Sequence, residues 1–114
     1  LPLHEMDSFA SATGYYAGIS ASLRRAQIDH LITLIDQLYP RLRLYLFDAR
    51  RVYSAPITIF GPLLAVLYVG RNYVAFRDIE RIQAFTQHFD GLVRESSIAA
   101  RDLPMHLRAL RDQI

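Results

Sequence analysis

Residues 52–70 carry no charged side chain, and an arginine closes the stretch on each side, Arg51 and Arg71. A run of about twenty uncharged, mostly apolar residues is either a membrane-spanning helix or a set of elements buried in a core. Pro56, Gly61 and Pro62 interrupt it, and Tyr53, Ser54, Thr58 and Tyr68 dilute it. Proline and glycine at such places punctuate turns. The run therefore reads as strands joined by tight turns, with no membrane partner.

The strand pattern extends to either side. Leu42, Leu44 and Leu46 alternate with Arg43, Tyr45 and Phe47, which predicts a first strand with its leucines on one face. Asp48-Ala49-Arg50-Arg51 would be the turn that follows. Pro56 to Phe60 reads as a second strand, with proline tolerated at its start. Leu64 to Val69 is apolar throughout and reads as a third. Gly70-Arg71 puts glycine first in a two-residue link, the pattern of a type II′ hairpin returning through Asn72 to Phe76.

Two amphipathic helices bracket these strands. Ile28, Leu31, Ile32, Ile35, Leu38 and Tyr39 recur at three and four, predicting a helix over 27–39 that Pro40 stops. Ile79, Ile82, Phe85, Phe89, Leu92 and Val93 make a second stripe over 78–95, with Asp78 as N-cap. Arg101-Asp102-Leu103-Pro104 opens a short last helix with proline near its first turn. Residues 1–23 are small and polar-aromatic; a short helix is expected around Met6 to Ala12, and Gly14 and Gly18 oppose a long one. They read as an arm or linker, which Tyr15 and Tyr16 would dock rather than leave free. The expected fold is α+β: a four-stranded, mainly antiparallel sheet flanked by two amphipathic helices plus a short C-terminal helix, all within residues 24–114.

Composition bounds the chemistry. With 114 residues the chain has room for one domain. The absence of cysteine rules out disulfides, thiolate zinc sites and a cysteine nucleophile. All 13 basic residues are arginine, so no lysine can form a Schiff base. A net charge of +2 is too small for a nucleic-acid footprint on its own. The chain opens Leu1-Pro2-Leu3 without an initiator methionine, so a longer parent protein is expected.

Few residues suggest a reaction. His4, His30, His88 and His106 lack partners at metal-ligand spacing on a helix face. Ser54, Ser96 and Ser97 lack the flanking glycines of a nucleophile elbow. No cofactor is implied. The densest polar cluster is Asp48, Arg50, Arg51 and Tyr53 at a strand end, where two arginines can clamp a carboxylate or phosphate. The plainer reading, a solvated charged turn, has the stronger prior. Tyr68 and Tyr73 are the further candidates to line a pocket over the sheet.

Four segments carry a family likeness: Gln27-Ile28-Asp29-His30-Leu31-Ile32 through Leu38-Tyr39-Pro40; Tyr45-Leu46-Phe47-Asp48; Tyr53-Ser54-Ala55-Pro56-Ile57-Thr58-Ile59-Phe60-Gly61-Pro62; and Thr86-Gln87-His88-Phe89-Asp90-Gly91-Leu92-Val93-Arg94. Over residues 3–95 the text resembles the C-terminal domain of proteobacterial Xre-type helix-turn-helix transcriptional regulators. The resemblance implies a cytoplasmic, non-enzymatic domain that dimerises and senses an effector. DNA would be bound by a separate N-terminal helix-turn-helix. The middle also resembles half of a phospholipase D-like fold, but that family's histidine-x-lysine motif is impossible without lysine. The alternatives are a sensor for a small anionic molecule and, with less support, a small hydrolase using His30 or His88.

Overall fold

The computed structural model describes residues 1–114. Helix α1 (Leu3–Ser11) is followed by a 3-10 turn (Gly14–Tyr16) and by α2 (Ala21–Leu38). Strands β1 (Ile57–Phe60), β2 (Leu64–Val69) and β3 (Asn72–Phe76) then form an antiparallel meander in the order β1-β2-β3. Helices α3 (Ile79–Arg94) and α4 (Leu103–Asp112) complete the chain. It divides into two units, Leu1–Ala49 with Ser96–Ile114, and Arg50–Glu95.

The class is α+β, but the expected four-stranded sheet with two helices and a short third is corrected to three strands and four helices. The missing strand is residues 42–47. Its alternation correctly points the leucines inward: Leu46 is fully buried, and Leu42 and Leu44 pack against the same core. Residues 1–3 run beside 45–47, with Leu1 donating to Tyr45, Phe47 to Leu1 and Leu3 to Phe47 at 2.8–3.1 Å, but the contact is too short to make a strand. Phe47 bridges Pro2 and Leu46 bridges Ile98, each as a single pair. Leu46 donates to the Ile98 carbonyl at 3.0 Å and accepts from Ser97 and Ile98 at 2.8 and 3.1 Å. A period-two pattern reports which face is buried, not whether a ladder forms.

The first unit is a helical assembly. Ile28, Ile32 and Ile35 of α2 face Leu103, Leu107 and Leu110 of α4, and Leu46, Met6 and Ala10 complete the core. Residues 1–23, expected as an arm or linker, make up α1, the 3-10 turn and the start of α2. Ser20 caps α2 by accepting from the Leu23 amide at 3.3 Å, so the helix begins six residues before the expected start. Arg24 donates to the carbonyls of Ala10 and Ile19, satisfying an orphan acceptor at the end of α1. Across α2 and α4, Arg111 Nε lies 2.6 Å from Asp29 Oδ1 and Arg108 lies 3.6 Å from Asp36. Both pairs are half-exposed and contribute little beside the apolar seam.

The second unit is the meander with α3. Pairing runs Ile57↔Leu67↔Val74, Ile59↔Ala65↔Phe76 and Tyr68↔Tyr73. Gly70 has φ +60 and Arg71 does not share the positive sign, as a type II′ turn requires and a type I′ turn does not. Asp78 caps α3 through the Arg81 amide. Phe85 of α3 stacks on Phe76 at 5.3 Å, and Ile82 and Ala65 are buried. So α3 covers the face carrying Ile59, Ala65 and Phe76, while α2, expected beside it on the sheet, packs on α4.

Leu107→Ala should destabilise the first unit by about 2–5 kcal/mol, since it empties a fully enclosed site on the α2–α4 seam. Urea unfolding followed by helical circular dichroism measures this. A cost under about 1 kcal/mol would mean that the seam is not the core.

Candidate functional site

The residues expected to form a ligand site fall in both units. Asp48, half-buried, belongs to the first unit, and Arg50, Arg51 and Tyr53 to the second. Residues 49–51 form a turn, and Tyr53 is 82% exposed. Tyr68 and Tyr73 are brought together as direct cross-strand neighbours of β2 and β3.

That pair lies on the sheet face away from α3. Side chains alternate along a strand, so Thr58, Phe60, Leu64, Val66, Tyr68, Tyr73 and Ala75 share this face. The Thr58 and Tyr68 hydroxyls lie 3.5 Å apart. Phe60, Tyr68 and Tyr73 are 53%, 42% and 69% exposed. The face is aromatic and apolar, with hydroxyls as its only side-chain polar groups.

Ser54 and His88 meet in the same unit, with Oγ and Nε2 3.0 Å apart. A serine–histidine contact is the first requirement of nucleophilic catalysis. Here the serine hydroxyl also donates to the Ala55 carbonyl at 3.0 Å. With that proton committed, the imidazole donates to Oγ rather than accepting from it, the reverse of what a general base needs. His30 lies elsewhere, on the rim described next. No three His, Asp or Glu side chains converge as a metal-ligand set.

The first unit holds a groove that the sequence reasoning did not find. Its walls come from α1 (Glu5, Met6, Phe9), the 3-10 turn (Tyr16) and α2 (Gln27, Ile28, His30, Leu31, Leu34), with Leu1 at the margin, enclosing about 350 Å³. This is the low end of the range for small-molecule sites, roughly 300–1,000 Å³. Met6 and Ile28 are buried beneath it. Phe9 and Tyr16 meet edge to face at 5.4 Å, and Tyr15 meets Tyr16 at 5.5 Å. The Tyr16 hydroxyl donates to Glu5 Oε2 at 2.9 Å, and His4 Nε2 is 3.6 Å from Oε1. The only sequence signal was Met6, Phe9 and Ala10 at helical spacing.

No family model matches this chain, and no curated protein or solved structure is significantly similar to it. No helix is long and apolar enough to cross a membrane.

The bond to Glu5, assisted by partial desolvation and the carboxylate's charge, holds the Tyr16 phenol above its usual pKa. Folding therefore favours the protonated phenol. That contribution is complete below the unfolded value near 10 and is lost as pH rises through the higher folded value. As pH rises above about 10, wild type should lose stability more steeply than Tyr16→Phe in urea titrations. Parallel curves would show that the bond contributes nothing to folding.

Proposed function

We propose that this chain is a non-enzymatic oligomerisation and effector-sensing domain of a bacterial DNA-binding transcriptional regulator, acting in the cytoplasm as a homodimer. DNA contact falls to a separate helix-turn-helix domain, as the Xre-type resemblance implies. One observation carries the dimer. The second unit, Arg50–Glu95, encloses only Ala65 and Ile82, yet exposes Phe60, Tyr68 and Tyr73 on the sheet face away from α3. A unit this short is near the limit, about 40–60 residues, at which one core suffices. A larger apolar face outside than inside favours association.

The second copy is the occupant that best suits this face. A two-fold interface sets the same patch against itself. The patch carries aromatic rings and hydroxyls but no charge, so self-contact places no like charges together. Tyrosine suits such surfaces because it buries a large ring and keeps a hydrogen-bonding tip. Repressors read paired half-sites as dimers, which gives a dimerising domain its use.

Sedimentation equilibrium over about 1–200 μM should show a reversible dimer, a Kd range typical of modest interfaces. Tyr73→Glu should shift the protein to monomer with unchanged helical circular dichroism, because Tyr73 is exposed in the single chain. A wild type that stays monomeric throughout would contradict the reading.

A further inference from the structure

We propose that the groove between α1 and α2 binds a small amphipathic amine: an apolar body seated against Met6, Ile28, Leu31 and Leu34, and a protonated nitrogen held at Glu5. This rests on the effector-sensing part of the proposed function and gives it a site and a ligand class. Three observations select the class. The walls are aliphatic and aromatic, so the body is apolar. The one carboxylate on the rim is Glu5, no arginine lines the groove, and the Leu1 ammonium at its margin is bonded to the Tyr45 carbonyl, so the favoured head is cationic. Phe9 and Tyr16, in edge-to-face contact beside that carboxylate, add ring surfaces that attract a cation.

The geometry also orients the head. Tyr16 donates to Oε2 of Glu5, which holds the carboxylate at the groove and directs Oε1 as the acceptor that an ammonium can share with His4. Gln27 and His30 stand on the α2 side of the rim and supply further hydrogen-bonding groups. At about 30 Å³ for each non-hydrogen atom, 350 Å³ admits a ligand of roughly a dozen such atoms. A fatty acid of the same length fits the walls but sets its carboxylate against Glu5.

The test is a titration of the full chain at pH 7 with decylamine, decanol and decanoate, followed by amide NMR shifts in α1 and α2. The expected result is saturable one-to-one binding of decylamine at this groove, about tenfold tighter than decanol, with decanoate weakest. Glu5→Gln should bring decylamine to the level of decanol, and Leu34→Trp, which fills the groove, should abolish both. Binding of decanoate as tightly as decylamine, or no shift at groove residues with any of the three, overturns the proposal. Sedimentation of the same samples separates this result from the dimer: a monomer that binds decylamine keeps the site and removes the oligomer, and a dimer that binds none does the opposite.

Discussion

The seam between α2 and α4 holds the first unit together, and Leu46 completes it. Ile28, Ile32 and Ile35 meet Leu103, Leu107 and Leu110, and these side chains are almost wholly removed from water. At about 25 cal/mol per Å², such burial outweighs the surface ion pairs Arg111–Asp29 and Arg108–Asp36. The contact has a topological consequence. Residues 96–114 must return to residues 1–49 before either can bury its apolar face. The Leu46–Ile98 bridge marks where the two segments rejoin.

The intervening segment, Arg50–Glu95, thus has its chain ends anchored close together, the arrangement in which insertions are tolerated. Its meander needs no long-range pairing, since tight turns join successive strands. One sheet face is covered by α3, whose entry is set by the Asp78 cap. The opposite face keeps its aromatic side chains in solvent. The two units therefore offer different chemistry: a groove with a carboxylate rim in one, an uncharged aromatic sheet in the other.

Much of this was legible in the residues because it is local. The stripes of α2 and α3 and the β2–β3 turn follow from periodicity and from Gly70. The juxtaposition of Tyr68 and Tyr73 follows from period two and a two-residue loop. What stayed hidden is tertiary. The leucines of 42–46 alternate because they face a helical core, and no strand pairs with them beyond single bridges. Serine, threonine and glycine around Tyr15 and Tyr16 masked the 3-10 turn and the Ser20 cap, while the helix expected around Met6 to Ala12 is α1. The groove exists only because α1, the 3-10 turn and α2 come together in space, and no residue in it is unusual by type. The cluster of Asp48, Arg50, Arg51 and Tyr53 stood out by charge density alone, which marks turns as readily as sites.

The most direct measurement replaces Arg50–Glu95 with a short glycine-serine link between Ala49 and Ser96 and follows thermal unfolding by far-ultraviolet circular dichroism. A self-sufficient first core predicts a helical protein with one cooperative transition, since Leu46 and Ile98 already hold the junction closed. A product that lacks cooperative unfolding would contradict the account, because the α2–α4 seam would then depend on the segment removed.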